Sequence, residues 1–219
     1  MDIKELIANI IFTNRCAVCD GVMTIDDPND ACAKCTEEMH EHLKNAPIVI
    51  NDKNIMGDKF LFSYKDETVR DIVLRMKYQP LHKACRYFAN IAADCIESDL
   101  SFPEFDIITH CPRKLSRKRS VGYDHSQHFA RLLAKRLNKP YVELLGRYKG
   151  GKEQKKVKSL RERQKNIENK FYARNFQKAK DKRVLIVDDI ITTGSTAKEC
   201  ARVLREAGVR NVSALFILD

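Results

Sequence analysis

Apolar positions along the chain recur first at helical spacing and later in alternation with strand-like runs. Ile3, Leu6, Ile7, Ile10 and Ile11 share one stripe and predict a helix over residues 3–11. A short polar helix is expected next, opened by Thr36 with Glu37 and Glu38 in its first turn. Residues 47–50 and 59–64 read as short strands. Asp66 is placed to cap a helix that turns Val69, Ile72, Val73 and Met76 inward, and Pro80 stops it. A second helix covers about 81–97. From Phe105 onward strands and helices alternate. Residues 105–109 form a buried strand that ends in Cys111-Pro112-Arg113-Lys114, and 126–138 a helix with Phe129, Leu132, Leu133 and Leu137 on one side. Residues 141–145 read as a strand, and Ser159 with Glu162 announces a helix at capping-box spacing. A strand over 183–187, a helix over 195–207 ended by Gly208, and a strand over 211–218 complete the series. Strands joined by helices of this length make βαβ units, so the expected class is α/β with a parallel sheet covered by helices. The pattern divides the chain into a small N-terminal module, residues 1–50, and a larger domain, residues 51–219.

Composition adjusts this picture little. With 219 residues, 43% apolar and 32% charged, the chain can bury one core and carry a small appendage. No run of 18 apolar residues is present, and acids stand near the N-terminus where a signal peptide needs basic residues, so a cytoplasmic protein is expected. Charge is more informative. The net charge is +10, and residues 146–183 hold 15 Lys and Arg against four acids, which leaves the rest of the chain near neutrality. So local a positive field is a footprint for polyanions, either nucleic acid or polyphosphate. Tyr148, Phe171, Tyr172 and Phe176 lie within it, and basic residues mixed with aromatics suit single-stranded nucleic acid. Arg113, Lys114, Arg117, Lys149, Lys152, Lys155, Lys156 and Arg163 are the candidate contacts. The same composition suits a loop closing over pyrophosphate, and the aromatics serve equally as core residues of the flanking elements.

Four of the eight cysteines, Cys16, Cys19, Cys32 and Cys35, form two Cys-x-x-Cys pairs twelve residues apart. Each pair aims two thiolates at one point, and two pairs give the tetrahedral four-sulfur site that structural zinc prefers. Disulfides are disfavoured by the cytoplasmic expectation, and iron–sulfur ligation stands as the second metal reading. A module this small lacks a core of its own, so metal is expected to hold it. Cys85, Cys95, Cys111 and Cys200 stand singly in apolar surroundings and read as core filler.

The chemistry concentrates in Val184-Leu185-Ile186-Val187-Asp188-Asp189-Ile190-Ile191-Thr192-Thr193-Gly194-Ser195-Thr196. A buried strand delivers two carboxylates to the sheet edge where open α/β sheets bind ligands. Adjacent aspartates repel unless something cationic or hydroxylic sits with them, and a ribose diol meets that demand, directly or with Mg²⁺. Four hydroxyls and a glycine follow at a helix N-terminus, whose free N–H groups and dipole attract phosphate. The spacing of the two subsites is that of one ribose 5-phosphate. Neither the Walker loop nor the Gly-x-Gly-x-x-Gly pattern is present.

This run resembles the phosphoribosyl pyrophosphate motif of type I phosphoribosyltransferases. The likeness extends to the ComF family of competence-related proteins, through the four cysteines, Tyr64, Lys77-Tyr78, the Pro112-Arg113-Lys114 loop, and Gln154, Leu160, Arg163, Asn166 and Phe171. One departure stands out: the commoner Arg-Gly-Phe-Asn-Gln becomes Val121-Gly122-Tyr123-Asp124-His125-Ser126-Gln127. The resemblance implies a type I phosphoribosyltransferase-like core with an N-terminal zinc-ribbon-like module. It implies Asp188 and Asp189 at the ribose hydroxyls as the catalytic pair. Ile190 and residues Thr192, Thr193, Gly194, Ser195 and Thr196 would enclose the 5-phosphate, and Arg113 and Lys114 would meet the pyrophosphate. It further implies structural Zn²⁺, Mg²⁺ arriving with phosphoribosyl pyrophosphate, single-stranded DNA and the DNA-uptake machinery as partners, and a role in natural competence. The alternative is an active transferase moving ribose 5-phosphate to a nucleobase or another nitrogen acceptor.

Overall fold

The computed structural model describes residues 14–23, 30–47, 50–78, 81–113, 123–148 and 170–219. The helix expected over 3–11, the segment 48–49, Pro80, the 159–162 helix start and residues 114–122 lie outside them.

In chain order the elements are α1 (Ala33–His42), β1 (Asp58–Phe62), α2 (Glu67–Tyr78), α3 (His82–Ser98), β2 (Ile107–His110) and α4 (His125–Arg136). Then follow β3 (Leu145–Arg147), β4 (Phe171–Ala173), β5 (Arg183–Ile190), α5 (Ser195–Glu206) and β6 (Asn211–Leu218). Four strands make a sheet in the order β1-β6-β5-β2, every neighbouring pair parallel. The expected α/β class with a parallel sheet is what the chain adopts. The central strand β5 carries Val184, Leu185, Ile186 and Val187, all buried completely, because helices cover both faces of the sheet.

On one face pack α2, α3 and α4; on the other lie α5 and the small antiparallel ribbon β3-β4. The helix α2 follows the sequence expectation closely. Asp66 Oδ1 accepts the Val69 N–H at 3.1 Å, and Val69, Ile72, Val73 and Met76 all point inward, at most 2% exposed. Burying a side chain of this kind stabilises by roughly 1.5–3 kcal/mol, so the stripe fixes the helix against the sheet. The apolar cluster on this face also includes Cys16, Val18, Met23, Cys35 and Met39, so the cysteine segment shares the main core.

Three expectations need correction. The short polar helix starts at Ala33, with Cys32 at the N-cap; Thr36 lies inside its first turn and donates to the Cys32 carbonyl at 3.1 Å. Residues 141–145 do not form a regular sheet strand. Tyr141 makes one parallel bridge to Ile108, and the ordered strand begins at Leu145, in the ribbon. The Pro140 carbonyl and the Val142 N–H both bond to Ile108, and the Leu144 N–H goes to the Thr109 hydroxyl at 3.2 Å, so a side chain takes the place of the next ladder bond. Finally, β5 continues to Ile190, and Asp188 pairs with Phe216 of β6. The two aspartates therefore stand within the strand, not beyond its end.

Candidate functional site

Strand β5 brings Asp188 and Asp189 to the C-terminal edge of the sheet, and α4 meets them with its first turn. Asp124 caps that helix, its Oδ1 accepting the Gln127 N–H at 3.3 Å. The next residue, His125, is fully buried and its Nε2 lies 2.7 Å from Asp189 Oδ2. Ser126 then donates its hydroxyl to Asp188 Oδ1 at 2.9 Å, an oxygen that also accepts the Asp189 N–H at 2.9 Å. One helical turn thus holds both carboxylates.

The imidazole extends the network outward. Arg113 Nη1 lies 2.7 Å from His125 Nδ1. A guanidinium can only donate, so Nδ1 accepts and the ring proton sits on Nε2, from which it is donated to Asp189. A second cation comes from α2: Lys77 Nζ stands 3.1 Å from Asp189 Oδ2. The result is a chain Arg113–His125–Asp189–Lys77 from the loop after β2 to the end of α2.

These contacts separate the two acids. Burial, and then the charge of Asp189, push Asp188 well above the usual carboxylate range. Burial acts in the same sense on Asp189, but the hydrogen bond from His125 and the ammonium of Lys77 outweigh it and hold Asp189 well below that range. The two carboxyls are therefore driven apart, Asp188 toward its neutral form and Asp189 toward its ionised form. Beneath Asp188 lie Cys111 and Cys200, both buried. The hydrogen bond with Cys200 and burial raise the Cys111 thiol, which keeps it protonated. All four scattered cysteines are buried, consistent with a packing role.

The turn after β5 is shaped by Gly194, whose φ of +68° is a left-handed conformation. It starts α5 with the Lys198 N–H on its carbonyl at 2.9 Å. The Thr193 and Ser195 hydroxyls lie 2.7 Å apart, and Ser195 N–H reaches Thr193 Oγ1 at 3.3 Å. Thr192 is exposed, and Thr193 and Thr196 are half-buried. The turn presents hydroxyls at a helix N-terminus, where an anion is favoured.

Of the residues expected at this site, the structure brings together Asp188, Asp189, Arg113 and the 190–196 turn; Lys114 lies outside the described residues. The structure adds three residues that the sequence pattern does not assign to the site: His125, Ser126 and Lys77. Asp124-His125-Ser126 at a helix start is the sequence signal for the first two; Lys77 carries none.

The four cysteine sulfurs of the N-terminal segment lie within 4.8 Å of one another, the one such group among the described residues. Tetrahedral thiolates at zinc stand about 3.8 Å apart, from Zn–S of about 2.3 Å, so the donor set fits that ion and leaves no open position. Val18 and Cys32 direct backbone N–H groups at Cys16 Sγ, each at 3.4 Å. Burial works to raise this thiol, but N–H donors from Cys19, Cys32 and Val18 prevail and bring it to about 7. The segment is tied down by Arg75, which donates to the Val18 carbonyl at 3.3 Å, and by Arg86 on Asp30 at 2.7 Å.

The candidate nucleic-acid face divides. Arg117, Lys149, Lys152, Lys155, Lys156 and Arg163 lie outside the described residues. The ends of their segment form the β3-β4 ribbon. Phe171 is core, 4% exposed, with the Arg147 guanidinium 5.1 Å above its ring. Tyr148 and Phe176 are exposed, and Tyr148 lies 4.8 Å from Tyr172, ring centre to ring centre. Tyr172 passes directly over Gly146, where any Cβ would strike its ring. Arg147 donates to the Pro112 carbonyl at 3.5 Å, which sets the ribbon beside the Arg113 loop. No helix among the described residues is long and apolar enough to cross a membrane.

Against known proteins, residues 124–219 match the family described as the phosphoribosyl transferase domain. Competence protein F of Haemophilus influenzae is 24% identical over 188 residues, covering 83% of this chain and 81% of that protein. An adenine phosphoribosyltransferase of Campylobacter fetus is 46% identical over 44 residues, 20% of this chain and 24% of that one. Among solved structures, adenine phosphoribosyltransferase of Saccharomyces cerevisiae is 16% identical, covers 85% of this chain and 88% of its own, and aligns with a TM-score of 0.43. Residues 124–219 are therefore a phosphoribosyl transferase domain, carried on a chain homologous to competence protein F along most of its length.

Proposed function

We propose that this chain binds phosphoribosyl pyrophosphate at the end of β5 and single-stranded DNA beside it, and works in natural competence with the DNA-uptake machinery of the cytoplasm. The observation that carries the first part is the junction of two adjacent carboxylates, Asp188 held by Ser126 and Asp189 by His125 and Lys77, with a hydroxyl-rich turn at the N-terminus of α5. In this reading Asp188 and Asp189 take the ribose hydroxyls, and Ile190, Thr192, Thr193, Gly194, Ser195 and Thr196 enclose the 5-phosphate. Arg113 holds the pyrophosphate with Lys114. Zn²⁺ stays with Cys16, Cys19, Cys32 and Cys35 as a structural ion, and the small module of residues 1–50 sits on the domain of residues 51–219. Changing both Asp188 and Asp189 to Ala should abolish phosphoribosyl pyrophosphate binding in calorimetry; unchanged binding sinks the assignment.

The homology to competence protein F supports the cellular role, and the ribbon supports the DNA partner. Tyr148 at its end and Phe176 in the 3-10 turn that follows it (Phe176–Lys178) offer exposed stacking faces, and Arg147, Lys170, Arg174 and Lys178 offer phosphate contacts. A second reading, an active transferase to a nucleobase or other nitrogen acceptor, is favoured by the family match over residues 124–219. There Asp188 and Asp189 act on a ribosyl centre that develops positive charge while pyrophosphate leaves toward Arg113 and Lys114. Pyrophosphate release that depends on an added base selects this reading; binding without release selects the first.

A further inference from the structure

Lys77 has no counterpart in the motif that defines the sugar-phosphate run, yet it holds that run's central carboxylate. It is the second-last residue of α2, and the inward stripe of Val69, Ile72, Val73 and Met76 fixes the helix beneath it. Its side chain is 18% exposed and ends 3.1 Å from Asp189 Oδ2, the same oxygen that His125 Nε2–H reaches at 2.7 Å. Two donors, one a full cation, therefore already fill the acceptor positions on that oxygen.

We propose that Lys77 takes at Asp189 the place a divalent cation would otherwise have, so that the ribose 5-phosphate end of the site binds its ligand without metal. This rests on the sugar-phosphate reading of residues 184–196. Magnesium builds its sites from carboxylates and phosphate oxygens. Here Asp188 Oδ1 is taken up by the Ser126 hydroxyl and the Asp189 N–H, and Asp189 is compensated by an ammonium, while the sugar end of the ligand brings only hydroxyls. A dication at Asp189 would also stand against Lys77 and Arg113, in partly buried surroundings that screen poorly. The ammonium has three N–H donors. One serves Asp189, and the other two can reach the oxygens of a vicinal diol that itself donates to the carboxylate. Magnesium then has work only at the pyrophosphate end, carried by the ligand's own oxygens.

The test is calorimetric titration of the full zinc-loaded chain with ribose 5-phosphate, which lacks pyrophosphate, in the presence and absence of magnesium chloride. The native chain should bind equally in both, within about twofold. Lys77→Met keeps the stem and loses the charge; it should bind about tenfold or more weakly without magnesium and regain affinity when magnesium is added. Lys77→Arg keeps the charge and should stay indifferent to magnesium, whatever its affinity. Thermal unfolding of each variant separates a folding defect from a lost contact, and the native measurement decides the matter should Lys77→Met not fold. A native affinity that drops about tenfold on removing magnesium, or a Lys77→Met protein as tight and as metal-indifferent as the native one, overturns the proposal. In those two outcomes ribose 5-phosphate still binds, and the sugar-phosphate reading stands. Absence of binding by the native chain under both conditions overturns that reading itself, and the role of Lys77 with it.

Discussion

At Asp188 and Asp189 opposite shifts divide the work. Asp188 is pushed toward its neutral form, so Asp188→Asn replaces one weakly charged group by an uncharged one and should change phosphoribosyl pyrophosphate affinity by no more than a few fold. Asp189→Asn removes the one negative charge between His125 and Lys77 and leaves the ammonium unpaired. Breaking a buried pair costs about 3 kcal/mol or more in stability, and losing the charged acceptor for the ribose hydroxyls should weaken affinity about tenfold or more. Calorimetry on the two variants should show that asymmetry; equal losses would mean that the two carboxyls are not driven apart. Gly194 adds a backbone case. Its φ of +68° strains any other residue, and Gly194→Ala should cost about 1 kcal/mol in stability, read as a lowered Tm. The carboxylates and the glycine were legible in the sequence because they are neighbours there. His125 and Lys77 were not, because their roles arise only when α4 and α2 fold onto one strand end. No local pattern records that meeting.

Elements carry the site as much as residues do. Helix α2 delivers Lys77 at one end and, through Arg75, holds the cysteine segment at the Val18 carbonyl. That segment contributes Cys16, Cys35 and Met39 to the same apolar cluster as Ile72 and Met76. Apparent zinc affinities in small four-ligand modules run to about 10 kcal/mol. If a third of that stabilises the shared core, stripping the metal, or Cys32→Ser, should lower Tm by about 6–12 °C; an unchanged Tm by calorimetry would show a module that folds independently of its metal. The β3-β4 ribbon allows a cleaner contrast. Tyr148→Ala removes an exposed ring and should leave Tm unchanged while weakening single-stranded DNA binding by about 1–3 kcal/mol. Phe171→Ala opens the core and should cost about 3–5 kcal/mol in stability. The aromatic composition of this region announced both residues alike, and only burial tells them apart. Most helices and the strands β5 and β6 were legible, since their apolar stripes are long and the sheet is covered on both faces. The segment 141–145 was misread because its apolar residues pack beside β2 while its polar groups bond to side chains and a single residue of that strand.

Across the whole molecule, charge sets two behaviours of opposite pH and salt character. The sheet edge remote from the site is pinned by Arg183, which donates to Asp106 through its backbone N–H at 2.9 Å and its guanidinium at 2.7 Å. Those bonds hold the Asp106 carboxyl down to about 2 from its usual 3.8. A carboxylate depressed on folding stabilises fully above its unfolded pKa and loses that contribution as pH falls through the folded value. The pair therefore matters above about pH 4, fades toward pH 2, and should disappear from the acid-unfolding curve in Asp106→Asn. The segment 146–183 is positive by excess, with 15 basic residues against four acids. A single strand lying along the ribbon would displace counterions from its phosphates, and each neutralised phosphate contributes about −0.7 to the slope of log affinity against log salt. Contacts from Arg147, Lys170, Arg174 and Lys178 alone give a slope of about −3. A steeper slope assigns further phosphates to the basic residues between the two strands of the ribbon, and reversing one ribbon charge, as in Arg174→Glu, should flatten it by about one unit. A slope near zero would leave the aromatic faces to bind bases without help from charge, which an exposed ring pair of this size cannot do tightly, and would remove DNA from the list of partners.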